Sequence, residues 1–167
     1  TFADGGRMKG RLKIDELSVG DNGYDRTIVM QIHGRLTDDQ KALIGAKDNN
    51  APPILKLSWV SGKIRVFTKV LKDTNMSDKE ALETDSWDDA AESFKESVNF
   101  DEFTLEVIVS DGRMEVILND NESMVFDDVH MKRWGIFENY FKAGNYLQTS
   151  EASSFARVKY YELEVSH

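Results

Sequence analysis

Apolar and polar residues alternate along most of this chain, and that alternation restricts its fold more than any other feature. Met8, Gly10, Leu12 and Ile14, for example, alternate with charged residues. The same period of two recurs over residues 27–34, 54–59, 63–71, 103–109, 114–118, 123–126, 140–148 and 155–165. Because successive side chains of a strand point to opposite faces, each of these segments predicts a strand.

Turn-forming residues separate these segments at short intervals. Ser61-Gly62 and Asp111-Gly112 each join two alternating segments, which is typical of hairpins, and residues 20–23 predict a further loop. About nine strands and no strong helix indicate an all-β chain. We therefore predict a jelly-roll β-sandwich of the concanavalin-like kind, with two antiparallel sheets and a concave groove.

Three stretches lack a clear strand pattern. Residues 35–53 and the segment around His130 and Trp134 predict loops. Residues 88–97 carry a weak apolar stripe at helical spacing, so we expect a short helix there.

Composition limits the number of domains and the kinds of partner that we expect for this chain. A chain of 167 residues with two adjacent Pro residues and no Ser/Gly-rich linker predicts a single domain over residues 1–167. No apolar run is long enough to span a membrane, and the absence of Cys leaves the compartment open. The net charge of -9 argues against nucleic acid as a partner. Residues 72–102 carry a net charge of -8, so this acidic segment leaves the remainder near neutral and able to hold a basic site for an anionic ligand.

One predicted strand carries an unusual polar face. In Tyr140-Phe141-Lys142-Ala143-Gly144-Asn145-Tyr146-Leu147-Gln148, a period of two places two phenols, an amine and an amide on one side. An ordinary half-buried strand would carry assorted solvated residues there. We interpret this face as the floor of a ligand cleft, with Gly144 as a gap between its side chains.

A second strand repeats the arrangement. Gln31 and His33 share one face of residues 27–34, while Ile28, Met30 and Ile32 share the other. If both polar faces line one sheet, the residues converge into a site able to run acid–base chemistry without a metal or cofactor. No metal site is predicted, because the three His residues are far apart in sequence and no loop has calcium-ligand spacing.

The two polar strands resemble the alginate lyases of polysaccharide lyase family seven. Those enzymes carry Gln-(Ile/Val)-His on one strand and Tyr-Phe-Lys-x-Gly-x-Tyr-x-Gln on another, and both strands line the groove of a jelly roll. The resemblance extends from about Met8 to the C-terminus. It implies an anionic polysaccharide, alginate, as the ligand and a secreted or periplasmic bacterial protein.

One motif of the family has no counterpart. The family carries Arg-(Thr/Ser)-Glu-(Leu/Val)-Arg on a strand upstream of Gln-x-His, and its first Arg helps to bind the substrate carboxylate. No such stretch occurs in this sequence. We expect this chain to be a family domain without its N-terminal strands. Those strands are expected either to form a separate N-terminal fragment after a nick or to be missing through truncation.

The resemblance implies β-elimination in a polyuronate, with a role for each matched residue. His33 is the expected base, because imidazole is largely neutral near pH 7, and Tyr146 is the expected acid for the departing oxygen. Gln31 is expected to stabilise the charge that develops on the substrate carboxylate. The expected substrate-binding residues are Lys142, Gln148, Tyr140 and Arg35. Ile32 favours guluronate or mixed blocks, since the family's Gln-Ile-His goes with guluronate-containing substrates.

Two other functions are candidates for a β-sandwich of this kind. A glycoside hydrolase needs two carboxylates flanking the bond, and the acidic residues of 83–88 lie in the acidic segment without strand alternation, which argues against it. A non-catalytic carbohydrate-binding module, with the jelly roll retained and activity lost, stays open as an alternative.

Overall fold

A computed structural model of the chain describes residues 2, 4–20, 23–149 and 151–167. Asp21 and Asn22 of the predicted turn lie outside the described residues. The strands of the described part are β1 (Gly6–Leu17), β2 (Val19–Gly20), β3 (Gly23–Tyr24), β4 (Arg26–Arg35), β5 (Asn50–Val60), β6 (Lys63–Leu71), β7 (Trp87–Ser97), β8 (Glu102–Ser110), β9 (Arg113–Leu118), β10 (Glu122–Phe126), β11 (Glu138–Gln148) and β12 (Ala156–Ser166). The helices are α1 (Asp38–Ile44), α2 (Asp78–Ala81) and α3 (Val129–Arg133), with 3₁₀ turns at Thr84–Ser86 and Trp134–Ile136.

Two antiparallel sheets of five strands form a sandwich, which confirms the predicted jelly-roll class. The front sheet has the order β11-β4-β5-β6-β7, and the back sheet has the order β10-β9-β8-β1-β12. The apolar side chains that alternation assigned to the inner faces are buried between the sheets, among them Leu12, Leu57, Val66 and Val107. The polar side chains of the front sheet therefore lie on its outer face.

Both predicted hairpins are present. Ser61 and Gly62 join β5 to β6 and adopt left-handed φ angles of 49° and 86°. Two consecutive left-handed residues match the right-handed twist of the flanking strands, which is why glycine is favoured there. Asp111 and Gly112 join β8 to β9, with Gly112 at a φ of 66°.

The predicted helix over residues 88–97 is wrong, because this segment forms β7 at the edge of the front sheet. Trp87 and Phe94 are buried, while most other side chains of the strand are exposed acidic or small residues. Charged residues on an edge strand oppose pairing with another chain, and they also hide the alternation that identifies a strand. Residues 87–97 of the acidic segment are thus part of the front sheet.

The two predicted loops each contain a short helix. Within residues 35–53, α1 begins at a capping box in which Thr37 and Gln40 exchange side-chain and backbone hydrogen bonds, and it ends at Gly45 in the left-handed conformation. The spacing Thr-x-x-Gln and the following Gly are sequence signals for such a helix. In the second loop, the Asp128 side chain caps α3, and Trp134 is buried behind it.

The burial of Leu57 provides a test of this core. Leu57 is fully buried and pairs with Met30 and Val66 in the front sheet, so Leu57→Ala leaves a cavity. We expect the free energy of unfolding to fall by about 2–5 kcal/mol in urea titrations. Leu43→Ala on α1, where the side chain is 54% exposed, is the matched control and should change it by about 0.5 kcal/mol or less. Equal losses in the two variants would contradict this assignment of the core.

Candidate active site

The candidate site is built by the pairing of β4 with β11 at the front of the sandwich. Directly opposed residues of an antiparallel pair project to the same face with their side chains adjacent. The register opposes Tyr140 to His33, Lys142 to Gln31, Tyr146 to Ile28, and Gln148 to Arg26. The two polar faces recognised in the sequence therefore lie side by side on the outer face of the front sheet.

The His33 ring is oriented by a hydrogen bond to the backbone of the next residue. Its Nδ1 atom lies 2.9 Å from the Gly34 carbonyl oxygen. Because a carbonyl oxygen only accepts hydrogen bonds, a neutral His33 ring in this position has its proton on Nδ1 and a lone pair on Nε2. The ring also stacks against Tyr140, with centroids 5.5 Å apart. The neutral ring would therefore present Nε2 as the proton acceptor for a bound molecule.

Gln31, Lys142 and Tyr146 border one hollow of about 230 Å³. Gln31 is 8% exposed, and within the described residues its amide has no hydrogen-bonding partner closer than 3.5 Å. Lys142 is exposed and has no carboxylate within ion-pair distance in the described part of the chain. A carboxylate in this hollow would meet an amide N–H and an ammonium group, with a phenol beside them.

Irregularities in both strands bring Tyr146 beside this hollow. One extra residue is accommodated in β11 between Ala143 and Tyr146, and another in β4 between Ile28 and Met30. Ile28 therefore lies on the outer face and borders the hollow, so the prediction that it shares the inner face with Met30 is wrong. A β-bulge reverses the alternation locally, and strict alternation in the sequence does not reveal it.

Tyr160 of the back sheet holds these irregularities in place, and the sequence analysis missed it. Its hydroxyl lies 2.5 Å from the Val29 carbonyl oxygen in β4 and 3.2 Å from the Gly144 amide nitrogen in β11. Burial raises the pKa of Tyr160 to about 12, even though a hydrogen bond with the Gly144 backbone opposes that shift. One phenol thus fastens both bulged strands to the sheet behind them.

Asn145 adds a second fastening next to Tyr146. The fully buried Thr27 hydroxyl donates to Asn145 Oδ1 at 2.7 Å, and Asn145 Nδ2 donates to the Ala156 carbonyl at 2.8 Å. Asn145, although exposed, therefore links β4 to β12 through its side chain. These bonds hold the backbone that carries the candidate acid, although Tyr146 itself is 61% exposed.

The remaining predicted binding residues flank this centre. Tyr140 is 45% exposed and covers one side of His33. Arg35 lies beyond it, with Nε 3.8 Å from Glu138 Oε2. Gln148 lies at the opposite end, where it borders a second hollow together with Arg26 and Phe67.

The two sheets differ in how many of their basic residues lie close to a carboxylate. Six of the seven cations on the described back-sheet strands lie within 4 Å of a carboxylate, the exception being Lys13, and these six are Arg7, Lys9, Arg11, Arg113, Arg157 and Lys159. On the front sheet, Lys142, Arg26 and Arg65 have no such partner among the described residues. The front face therefore carries uncompensated positive charge although the chain has a net charge of -9.

In the described part of the chain, no cluster of three or more His, Asp and Glu residues is arranged to hold a metal ion. None of the described helices has the length and apolar character needed to cross a bilayer.

Comparison with known proteins identifies a family and solved structures that are similar to this chain. The family model described as alginate lyase matches residues 1–167. No curated protein sequence matches the chain.

Solved structures match over nearly the whole chain. Alginate lyase A1-II′, described as a member of polysaccharide lyase family-7, has a TM-score of 0.73 and 28% identity, over 99% of this chain and 63% of that one. A variant of it in complex with product (GGG) gives 27% identity over 99% of this chain and 63% of that one, also at a TM-score of 0.73. An alginate lyase from Pseudomonas aeruginosa has a TM-score of 0.65 and 24% identity over 98% of this chain and 64% of that one, a likeness of fold. This chain thus spans less than two thirds of the length of these proteins.

The hydroxyl of Tyr160 provides a test of how the site is held. Tyr160→Phe removes the bonds to Val29 and Gly144, so we expect the free energy of unfolding to fall by about 1–3 kcal/mol in urea. Tyr161→Phe, at a 47% exposed neighbour, is the control and should change it little.

The pH dependence of stability gives a second readout of the same group. A folded-state pKa of about 12, above the usual phenol value of 10.0, means that the unfolded chain loses this proton first as the pH rises. The contribution of Tyr160 is therefore complete below about pH 10 and is lost between about pH 10 and 12. Tyr160→Phe should lack this part of the decline, and an identical decline in both proteins would contradict the assignment.

Proposed function

The chain belongs to the alginate lyase family, and on that premise we propose that its front face cleaves alginate, a polyuronate, by β-elimination. The observation that carries the proposal is the convergence of Gln31, His33, Lys142 and Tyr146 on one outer face. This set contains a group to neutralise a carboxylate, a base and an acid. One relative supports the substrate class, since variants of alginate lyase A1-II′ are described in complex with product (GGG) and with substrate (GGMG).

The first requirement of the reaction is to neutralise the substrate carboxylate. The C5 hydrogen of a uronate is very weakly acidic, because its removal places further negative charge on the adjacent carboxylate. The Gln31 amide would donate a hydrogen bond to that carboxylate, and the Lys142 ammonium beside it would supply charge. Donors that are already in position stabilise the enolate-like intermediate as it forms.

The second requirement is a pair of proton transfers. For guluronate, His33 Nε2 would accept the C5 proton, and the electrons of that bond would form the C4–C5 double bond as the C4–O4 bond breaks. The Tyr146 hydroxyl would then protonate the departing O4. For mannuronate, where the C5 hydrogen lies on the same side as O4, Tyr146 would serve as both base and acid.

A preference for guluronate or mixed blocks is proposed from the resemblance, because Ile32 completes the Gln-Ile-His pattern that goes with guluronate-containing substrates in the family. The Ile32 side chain is 2% exposed and faces the core, opposite Phe141. Ile32 therefore cannot contact the sugar. Any influence on block preference would pass through the position of the neighbouring His33.

The free edge of β11 offers a place for an additional strand. Among the described strands, β11 pairs only with β4, and its open edge runs beside Lys142 and Tyr146. On the inner side of the back-sheet edge, Leu163 and Val165 are 48% and 51% exposed. We propose that the family's Arg-bearing strand, as a separate N-terminal fragment or a continuous segment, pairs at this edge and adds its cation beside Lys142. Secretion or export to the periplasm is proposed from the polymeric substrate.

Substitution of the two proton-transfer residues tests the reaction. We expect Tyr146→Phe to lower kcat on every alginate by roughly 10²- to 10⁴-fold, because no acid would then protonate O4. His33→Ala should lower kcat by a similar factor on guluronate-rich alginate and by less on mannuronate-rich alginate. The measurement is the ultraviolet absorbance of the unsaturated uronate, with Tyr161→Phe as the control for loss of a phenol away from the site.

The outcomes separate the enzyme from the binding module. A wild-type chain that binds alginate without producing the absorbance, and that stays inactive when the Arg-bearing strand is supplied, would establish the non-catalytic alternative. A Tyr146→Phe variant with wild-type kcat would refute the proposed acid. Equal losses for His33→Ala on both block types would refute the division of roles between the two bases.

A further inference from the structure

Beside the proposed reaction centre, three cations surround one aromatic ring on the outer face of the front sheet. The Arg65 guanidinium carbon lies 5.1 Å from the centroid of Phe67, the Lys56 ammonium lies 5.5 Å from it, and the Arg26 guanidinium carbon lies 5.8 Å from it. These four residues, here called the Phe67 cluster, come from three different strands. Contacts between cations and the face of an aromatic ring are attractive and limit the positions of the charged groups.

The sheet provides the space in which these side chains meet. Phe67 pairs directly with Lys56, and Arg65 pairs with Ser58. Ser58 is 2% exposed, and its short side chain leaves a hollow through which Arg26 reaches from β4 toward Phe67. Gln148 and Ile28 border the same hollow, so the cluster is continuous with the candidate active site.

The charge of the cluster is only partly compensated. Lys56 lies 3.4 Å from Asp89, which also contacts Lys69 at 3.1 Å. Arg26 and Arg65 have no carboxylate within 4 Å among the described residues. Two guanidinium groups held beside one ring without a counter-ion create a local positive potential, to which an anion is attracted.

We propose that the Phe67 cluster is a second carboxylate subsite, which binds a uronate residue beyond the one being cleaved. This inference rests on the proposed function. Across the sheet, Gln31 pairs with Lys56 and Lys56 pairs with Phe67, so neighbouring strands separate Phe67 from Gln31 by about 10 Å. The planar guanidinium group can donate two parallel hydrogen bonds to a carboxylate. Arg26 and Arg65 would bind one uronate carboxylate from two sides, while Phe67 holds both guanidinium groups in position.

The subsite predicts that longer alginate oligosaccharides are cleaved more efficiently than short ones, and that this advantage depends on Arg26 and Arg65. We expect the double variant Arg26→Gln/Arg65→Gln to lower the ratio of kcat/KM for an alginate hexasaccharide to that for a trisaccharide by about tenfold, mostly through KM. Phe67→Leu keeps both charges but removes the ring that orders them, so it should lower the ratio by about two- to threefold. Arg113→Gln removes one positive charge from the back sheet and should leave the ratio at the wild-type value.

Direct binding gives a readout that does not depend on turnover. Calorimetry with Tyr146→Phe should show the affinity rising as the oligosaccharide is lengthened to reach the cluster. Adding Arg26→Gln/Arg65→Gln to that variant should abolish the rise, and thermal unfolding of each variant identifies any loss of folded protein.

The outcomes distinguish this inference from the proposed function. If the wild-type chain neither binds nor cleaves alginate, the proposed function fails and the subsite fails with it. If the wild type acts on alginate and the double variant retains the length dependence, only the subsite is overturned. A double variant that loses trisaccharide and hexasaccharide cleavage equally would also overturn it, because a general structural role predicts equal losses.

Discussion

The front face depends on the register between β4 and β11. This register opposes Gln31 to Lys142 and His33 to Tyr140, and a slip by one residue would move each outward side chain to the inner face. Both strands are bulged near this point, and a bulge locally disrupts the ladder of backbone hydrogen bonds. The Tyr160 hydroxyl bonds to Val29 and to Gly144, so the back sheet fixes the irregular part of the front sheet. The site is therefore a property of the whole sandwich.

The distribution of ion pairs separates the two faces more clearly than the count of charges does. Arg7, Lys9 and Arg11 lie in a row on β1, and each is matched by acidic residues of a neighbouring strand or turn. Exposed pairs of this kind contribute little stability, but they neutralise the surface. The front sheet leaves Lys142, Arg26 and Arg65 without a carboxylate partner among the described residues. Positive charge on one continuous surface attracts an anionic ligand.

Much of the fold was predictable because alternation reflects the two faces of a strand. The hairpins at Gly62 and Gly112 followed from turn chemistry, and the jelly-roll class followed from the number of strands. The resemblance anticipated that β4 and β11 line one groove, but their direct pairing was not predicted, since periodicity does not say which strands are neighbours. The predicted helix over residues 88–97 was wrong because β7 is an acidic edge strand whose inner face is marked by few apolar residues.

The residues that the sequence missed act through long-range contacts. Ile28 reaches the outer face through a bulge, and Tyr160 bonds to a residue 131 positions away in the chain. No local pattern marks either of them. The capping box before α1, by contrast, was a readable local signal in Thr37 and Gln40 that the sequence analysis did not use.

The acidic residues of β7 set a limit to the positive surface. Asp89 lies beside Lys56 and Lys69 at the far side of the front sheet, so these two cations are compensated. The uncompensated cations Lys142, Arg26 and Arg65 form a strip across the outer face from β11 to β6. A polyanion that crosses the strands would be attracted along this strip and repelled at β7, since like charges disfavour its advance. The acidity of residues 72–102 thus acquires a physical role, because it defines one end of the surface that an anionic chain can occupy.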